Sequence, residues 1–328
     1  NLVNTGNSDL QPDWLWLFNR DTSLTGDGKI FDSTRGAGSG NSLSASITNG
    51  EGYNDALYGF VNSFNSDGFG VRAGSSTRWF TDRGGGGGDR YVAWQWKANG
   101  GTTSTNNDGN ISSVVQANQD AGFSIVTWTG DGSTSGKNVG HGLGAVPHMI
   151  ISKDRGGSSS LPGWYVYHPV IGNTHHLSFT NAAKADSPSW GDTTPTSSVF
   201  SVGGDGGYIT TNTNSTNYVA YCFAPKQGYS RFAFFRGNGS TDGPFVYTGF
   251  KPAFLMFKQH TAAGNNWFMF DNARSPFNGV MPYSTANNAN TDGGGDLLQF
   301  MSNGFKLKHN DSAFNGDGHD YIYMAFAE

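Results

Sequence analysis

One short strand pattern occurs three times in this chain, and it limits the possible folds more than any other feature. It reads YVAWQWKA at 91–98, YVAYCFAP at 218–225 and YIYMAFAE at 321–328, each time after a loop rich in Gly, Asn and Asp. Alternate positions are large and apolar in all three copies, which is the period of a β-strand with one face in a core. The pattern therefore predicts three related β-units in tandem.

Other landmarks recur in the same order around this strand. In each copy a proline precedes an apolar strand, and these prolines are Pro12, Pro147 and Pro252. The second and third copies also open alike, with GFSIVTWTGDGS at 122–133 and GYSRFAFFRGNGS at 228–240. The first copy has no such strand before its proline. We therefore expect the first unit to lack its leading strand, and we expect that Asn1 is not the biological start of the fold.

Composition supports an all-β chain. The 328 residues include 49 Gly and 14% aromatic residues, arranged as short apolar runs between turn-forming residues. Many short strands joined by turns give this pattern, and no long segment has apolar residues at helical spacing. We predict three antiparallel β-sandwich units of jelly-roll-like form. They span 1–98, 122–226 and 227–328, and 99–121 forms a linker with one added strand.

The two faces of the recurring strand differ in side-chain size. One face carries Val92, Trp94 and Trp96 in the first copy and large apolar residues in the other two. We expect this face to point into the interior of each sandwich. The other face is mostly small, as at Ala220 and Cys222, and would admit another layer or a neighbouring subunit. Burial on both faces is therefore expected, at least in the second and third copies.

Charge and apolar run lengths exclude two classes of partner. The net charge is −5, and Lys and Arg are scattered along the chain. A surface that follows a phosphate backbone needs clustered cations, so we expect no nucleic-acid partner. No apolar run is long enough to span a bilayer, so we expect no membrane insertion. The single cysteine, Cys222, excludes an internal disulfide framework.

Few residues qualify as catalytic or metal-binding groups. Cys222 lies between aromatic strand positions and is expected to be a buried small hydrophobe. His175 and His176 are adjacent on an extended segment, so they would point to opposite faces and not share one ion. We predict no catalytic, cofactor-binding or metal-binding residues.

Asp- and Gly-rich loops occur at 25–29, 130–133 and 310–320. Calcium prefers several oxygen ligands on such turns, but none of these loops matches a known calcium-loop spacing. The same residues are the commonest turn formers. We read them as turns, with weak Ca²⁺ binding as the alternative.

An Asp and an Arg stand three residues apart at the same repeat position in two copies. The sequences are FDSTR at 31–35 and FDNAR at 270–274, and the second copy has His168 in place of the Asp. A structural ion pair or a turn-stabilising Asp explains this pattern better than catalysis that survives in two copies. An exposed pair would stabilise the fold by about 0.2–1 kcal/mol.

Four tryptophans, Trp79, Trp164, Trp190 and Trp267, are candidates for stacking on a sugar ring. Trp164 and Trp267 share a repeat position, which favours a role in packing. Trp79 and Trp190 have no equivalents in the other copies. We therefore predict Trp79 and Trp190 as possible contacts to a glycan or another surface.

The whole pattern resembles a family of virion proteins of tailed bacteriophages, common in marine phages and usually taken as tail-fibre or other fibre-like surface proteins. The most specific segments are SDGFGV at 66–71 with YVAWQWKA, and GFKPAFLMFK at 249–258 with SNGFKL and YIYMAFAE. The resemblance covers nearly the whole chain. It implies a non-enzymatic structural protein of an extracellular virion, in a tail fibre or another surface fibre. The implied partners are other virion proteins, further copies in a homotrimer and a host cell-surface polysaccharide.

Three alternatives remain open at the level of sequence. The chain could be a capsid decoration or head-fibre protein, a lectin or adhesin from a prophage-derived gene, or a surface polysaccharide depolymerase. A depolymerase would need two carboxylates across a cleft. The chain has only two Glu, Glu51 and Glu328, and its Asp residues lie mostly in loops, which disfavours the enzyme.

Overall fold

The computed structural model describes residues 1–4, 9–21, 28–75, 89–157, 163–180, 182–205, 208–209, 211–288 and 292–327. Within these ranges the chain is nearly all β, and the paired strands of every sheet run antiparallel. The predicted all-β fold of antiparallel sheets is confirmed. No helix in the described part is long and apolar enough to cross a membrane.

The elements of the first part of the chain are β1 (Trp14–Asn19), β2 (Lys29–Asp32), β3 (Leu43–Ser44), α1 (Asp55–Tyr58), β4 (Phe60–Asn65), β5 (Gly68–Arg72) and β6 (Tyr91–Trp96). Those of the middle part are β7 (Ser104–Asn106), β8 (Ser113–Asn118), β9 (Phe123–Thr129), β10 (Lys137–Gly140), β11 (Met149–Asp154), β12 (Trp164–Tyr167), β13 (His175–His176), β14 (Ala185–Asp186), a 3₁₀ turn (Pro188–Trp190), β15 (Val199–Val202), β16 (Gly204–Asp205), β17 (Tyr208–Ile209) and β18 (Asn217–Phe223). Those of the last part are β19 (Ser230–Arg236), β20 (Phe245–Tyr247), β21 (Pro252–Gln259), β22 (Trp267–Asp271), β23 (Met281–Thr285), β24 (Gly293–Gly295), β25 (Leu298–Met301), β26 (Gly304–Leu307), α2 (Ser312–Asn315) and β27 (Asp320–Ala327).

Three large sheets organise the molecule. Sheet I has the strand order β3-β2-β1-β6, sheet II has β12-β11-β18-β9-β8-β7, and sheet III has β19-β27-β21-β22-β23-β24. In sheets II and III the recurring strand (β18, β27) lies between the leading strand (β9, β19) and the strand near the landmark proline (β11, β21). Sheet I repeats this order from β6 through β1 to β2, but the described residues give β6 no second neighbour. This likeness is what a tandem repeat would produce; the unit boundaries at 98, 121 and 226 stay a prediction.

Each large sheet packs one face against a smaller sheet. Sheet I packs Leu15 and Phe31 against Val61 and Phe69 of the β4–β5 hairpin. Sheet II packs against β10–β15, and sheet III packs against β20-β26-β25, each through its own buried apolar cluster. Each large sheet therefore forms a sandwich with a smaller partner sheet.

The opposite faces of the three large sheets meet in one shared core, here named the central cluster. Its buried members include Trp16 and Trp94 from sheet I, Val166 and Tyr221 from sheet II, and Trp267 and Met324 from sheet III. The ring of Phe179 lies 5.4 Å from Trp16, 5.1 Å from Trp164 and 5.3 Å from Trp267, measured between ring centroids. One side chain thus contacts aromatic residues of all three sheets.

The face assignment of the recurring strand needs a correction. Its large side chains were expected inside each sandwich, but Trp94, Tyr221 and Met324 lie in the central cluster between the sheets. Its small face, with Ala220 and Cys222, lines the sandwich of sheet II instead. The physical reason is space, because three sheets facing one centre enclose a wider volume than two stacked sheets, and aromatic side chains fill it. Both faces are buried in β18 and β27, as expected.

Adjacent large sheets meet at three junctions. At junction I–II the ring of Trp14 lies 4.7 Å from Tyr221, and at junction II–III the ring of Phe223 lies 5.8 Å from Phe232. At junction III–I the ring of Phe254 lies 5.3 Å from Trp96. Each sheet therefore contacts both of the others, and the arrangement closes on itself.

Candidate functional site

The repeated Asp–Arg motif forms a buried lock at junction I–II. Arg35 Nε lies 2.5 Å from Asp32 Oδ2, and the backbone N–H of Arg35 donates to Asp32 Oδ1 at 2.9 Å. Tyr221 of sheet II donates its hydroxyl to the same Oδ2 at 2.8 Å. Burial opposes the charge of Arg35, but Asp32 and Glu51 outweigh it and raise the pKa of the guanidinium.

Both side chains are fully buried here, so the small energy of an exposed pair does not apply to this motif. The lock therefore links sheet I to sheet II in the interior of the protein.

The other Asp–Arg motif, at 270–274, joins sheet III to sheet I in the same way. Arg274 Nε lies 2.6 Å from Asp271 Oδ2, and Trp94 of sheet I donates its indole N–H to that oxygen at 3.2 Å. The guanidinium of Arg274 also lies 5.3 Å from the centre of the Trp94 ring, a cation–π distance. Here too the motif holds one sheet to the next.

Junction II–III has a histidine where the other two have an aspartate. His168 is buried beside His148 and His260, and burial together with these neighbours lowers its pKa to about 3. On the recurring strand of sheet III, the residue at the position of Tyr221 and Trp94 is Met324, which carries no hydrogen-bond donor. A carboxylate at this position would receive no hydrogen bond from Met324. The chain has a neutral histidine there instead.

The side chains first considered for catalysis or metal binding are buried or already engaged. Cys222 is fully buried, and burial raises the pKa of its thiol, so the reactive thiolate is disfavoured. His176 is buried and shares a hydrogen bond with Ser189, and burial lowers its pKa to about 4. Across the described residues, no group of three or more His, Cys, Asp or Glu side chains is placed to hold a metal ion.

Two of the Asp-rich loops use their carboxylates for local structure. Asp131 forms an ion pair with Lys137 at 2.7 Å and accepts a hydrogen bond from Asn212 at 2.8 Å. Asp311 accepts from the backbone N–H of Ala313 at 2.7 Å and caps α2. The loop at 25–29 lies partly outside the described residues. The turn interpretation therefore accounts for both carboxylates without an ion.

The two tryptophans predicted to contact a surface have different outcomes. Trp79 lies outside the described residues. Trp190 is only 1% exposed, and its ring packs 5.9 Å from Tyr167 and 6.5 Å from Phe200 in the sandwich of sheet II. The surface role of Trp190 is contradicted, because the ring fills the core beside the 3₁₀ turn and offers no face to a ligand.

A surface cleft of about 500 Å³ lies at the connection between sheets II and III. One wall is the tight turn 225–231 that joins β18 to β19, and the other is 247–249 at the end of β20. Backbone bonds between Lys226 and Ser230 close the turn, and Gly228 takes the positive φ of +77° that the turn requires. The turn therefore has one conformation fixed by these bonds, and it forms one wall of the cleft.

Tyr247 provides the aromatic surface of this cleft, hereafter the Tyr247 cleft. Its side chain is 57% exposed, and the Arg231 guanidinium lies 5.9 Å from its ring centre. Lys226 adds a second cation, and none of the described residues that line the cleft is an Asp or a Glu. An exposed aromatic residue with two cations in the same cleft suits an anionic ligand with an apolar face.

The fold does not require an aromatic residue at position 247. Val246 pairs with Phe305 in the sandwich of sheet III, as Val139 pairs with Phe200 in that of sheet II. By this register Tyr247 corresponds to Gly140, where a Cβ atom would come within 1.7 Å of the Asn106 side chain of β7. Among the described residues of sheet III, no such strand covers the site. Sequence reasoning missed Tyr247, although the aromatic-to-glycine difference between copies was a readable signal.

The comparisons with known proteins identify a family without a described activity. Neither the search of curated proteins nor the search of solved structures finds a match. The model of one family, described as the domain of unknown function DUF7483, matches residues 3–328. Since that match spans almost the entire chain, the protein belongs to the DUF7483 family.

Proposed function

We propose that the chain is a non-enzymatic fibre protein of a tailed-phage virion that attaches to an acidic polysaccharide on the host surface. The resemblance of its sequence segments to fibre-like virion proteins supports the place in the virion. The observation that carries the binding role is Tyr247, a half-exposed aromatic residue that the fold does not need, with Arg231 beside its ring.

The charge of the Tyr247 cleft selects the class of polysaccharide. Lys226 and Arg231 line it without an opposing carboxylate. Uronate or other anionic sugars would pair with these cations, while the apolar face of a sugar ring packs on Tyr247. Because both cations are solvent-accessible, salt would screen the attraction, and binding would weaken as ionic strength rises.

The test measures binding of polygalacturonate, with the neutral polymer dextran as control, by calorimetry at low and high salt. The wild-type chain is expected to bind polygalacturonate and not dextran. Tyr247→Ala and Arg231→Gln should each weaken binding by about tenfold, or about 1.4 kcal/mol. Phe277→Ala is the matched control, because Phe277 is 93% exposed and does not line the cleft.

Two results would contradict the proposal. If Tyr247→Ala binds polygalacturonate as tightly as Phe277→Ala does, the cleft is not the binding site. If incubation shortens the polymer, measured by its viscosity, the protein is an enzyme and the depolymerase alternative gains.

Assembly in the fibre is a separate part of the proposal. Cyclic homo-oligomers are the usual form of fibres, and we propose a homotrimer joined to other virion proteins. Light scattering after gel filtration measures this directly. A mass of three chains supports the trimer, and a mass of one chain contradicts it.

A further inference from the structure

The outer edge of β6 carries backbone groups without a described partner. The carbonyl of Trp96 accepts from the N–H of Asp13, and the carbonyl of Arg90 accepts from the N–H of Arg20. The backbone groups at the even-numbered positions of 90–96 therefore face β1. Backbone direction alternates along an antiparallel strand, so Ala93 and Gln95 point their N–H and C=O groups away from β1. Within the described part of the chain, no hydrogen bond reaches these backbone groups.

A groove of about 270 Å³ runs along this edge. Residues 92–96 of β6 form one wall, and sheet III forms the other through Phe254, Ala273 and Phe326. The groove is thus mostly apolar and lies directly beside the unpaired edge. Polar backbone groups beside an apolar wall are the two elements of a site that accepts a β-strand.

The other two sheets show what fills the corresponding place. In sheet II, β9 pairs with β18 so that Phe123 and Ile125 stand opposite Phe223 and Tyr221. The ring of Phe123 then packs 5.9 Å from Trp14 of the preceding sheet. Phe254 of sheet III is the counterpart of Trp14, since Phe254 pairs with Phe326 as Trp14 pairs with Trp96. A strand added to the edge of sheet I would therefore pack on Phe254 as β9 packs on Trp14.

Sheet III repeats the arrangement with β19 on β27. Phe232 stands opposite Met324, and the N–H of Ala327 donates to the carbonyl of Tyr229 at 2.7 Å. The same bond in sheet II runs from Ala224 to Gly122 at 2.8 Å. The equivalent donor in sheet I is the N–H of Lys97, for which no described residue provides the acceptor.

The edge of β6 also lacks the features that protect exposed edges. Natural sheets protect them with charged residues, prolines, bulges or very short strands. The outer strand β19 carries Arg231 and Arg236, and β3 is only two residues long. In contrast, β6 has six residues, YVAWQW, with neither a charge nor a proline. An unprotected edge of this length is expected to be paired in the working protein.

We propose that the outer edge of β6 is a docking site for an extended segment of a partner protein. The segment runs antiparallel to β6 as an added strand, with apolar side chains at every second position that enter the groove beside Phe254. This site is separate from the Tyr247 cleft and does not depend on it.

The groove favours a single strand over a second copy of this chain. A copy that paired its own β6 around a twofold axis would bring its own sheet III to the same side of the joined sheet. That side is already occupied by the wall of Phe254 and Ala273. An extended segment needs only the width of one strand, about 4.8 Å.

The probe is a fluorescein-labelled peptide with the sequence GYSRFAFFRG, residues 228–237, which occupies the corresponding place in sheet III. Fluorescence anisotropy with the wild-type chain is expected to show saturable binding. A control peptide with serine at the positions of Phe232 and Phe234 should bind about tenfold more weakly or worse, because these side chains would face the groove.

Two variants of the chain test the site. Ala93→Pro removes an outward N–H and leaves the bonds to β1, and it should reduce peptide affinity by about tenfold. Ala273→Trp narrows the mouth of the groove at an exposed position and should do the same, even if the proline variant folds poorly. Ala263→Trp, exposed in the turn between β21 and β22, is the matched control and should bind normally.

Several results would overturn the proposal. They are the absence of peptide binding at millimolar concentration, equal binding to both peptides, and equal affinity of the Ala273→Trp and Ala263→Trp variants. A mass of two chains by light scattering that Ala93→Pro reduces to one would assign the edge to a second copy instead.

Discussion

Junctions I–II and III–I are joined by the same ionic and hydrogen-bonding contacts, but they differ in the strands that lie over them. Each has an Asp–Arg pair in one sheet that accepts a hydrogen bond from an aromatic donor in the next, Tyr221 or Trp94. At junction I–II, β9 and β8 continue the sheet past this lock. At junction III–I the same place is the groove beside β6. The ionic lock therefore links two sheets at both junctions, while the strands beside it decide whether the junction is covered or borders a groove.

The largest expected effect separates the two arginines. Arg35→Met leaves the buried Asp32 without its cation, and Glu51 keeps only Arg155, so the substitution should reduce the free energy of unfolding by about 3–5 kcal/mol. Arg274→Met should cost clearly less, because the groove gives water access to the junction around Asp271. Urea unfolding at neutral pH measures both. Equal losses of unfolding free energy would contradict the interpretation that water reaches junction III–I more easily than junction I–II.

The second prediction concerns the strand that covers junction I–II. Gln116 of β8 donates to Thr34 at 2.8 Å and accepts from the N–H groups of Asn99 and Gly101. Gln116→Leu should reduce the free energy of unfolding by about 1–3 kcal/mol, because it removes three partly buried hydrogen bonds that the buried Gln116 side chain makes. Gln119→Leu, at an exposed position of the following turn, is the control and should change it by less than about 0.5 kcal/mol.

The third prediction uses pH to distinguish junction II–III from the other two. The pKa of His168 is lowered from 6.5 to about 3, so the unfolded chain binds a proton between these values while the folded chain does not. Stability is therefore complete above pH 6.5 and falls as the pH drops toward 3. At pH 5.5 this histidine should account for a loss of about 1.4 kcal/mol.

His168→Asn keeps a hydrogen-bond acceptor for the N–H of Val170 and removes the titration. The difference in unfolding free energy between pH 8 and pH 5.5 should therefore be smaller in the variant than in the wild type. The other buried histidines titrate in both proteins and cancel. An unchanged difference would show that His168 is not neutral in the folded chain.

The smallest expected effect compares corresponding positions at the two junctions. Ala273→Trp should change stability by less than about 0.5 kcal/mol, because Ala273 is exposed at the groove. Thr34→Trp should cost about 1–3 kcal/mol, because Gln116 already packs there. Thermal unfolding of both variants decides this. A large loss for Ala273→Trp would mean that the groove is closed in solution.

The sequence predicts the strands better than it predicts which sheet or cluster packs on each of their faces. The two-residue period of YVAYCFAP predicts two distinct faces, and both are buried in β18. Periodicity does not say which face meets a partner sheet and which meets the central cluster, because contacts distant in sequence decide that. Tyr221 and Asp32 are 189 residues apart, and no local pattern reveals their bond.

The same limit explains the errors at individual residues. Uniqueness within the repeat suggested a surface role for Trp190, although the 3₁₀ turn places its ring in the core. The repeat also located the Asp–Arg motif correctly as structural, but not its burial, which depends on Tyr221 and Glu51. Tyr247 was missed because its exposure depends on which strands pack over sheet III, and no strand like β7 does so in the described part of the chain.

The position of Phe179 has a consequence for how the chain folds. A side chain that contacts Trp16, Trp164 and Trp267 completes its contacts only when all three sheets are in place. The sheets should therefore unfold together in one cooperative transition, unlike independent domains on a string. Contacts between such distant segments also favour slow folding, and a chain truncated after residue 226 would expose the apolar faces of sheets I and II and aggregate.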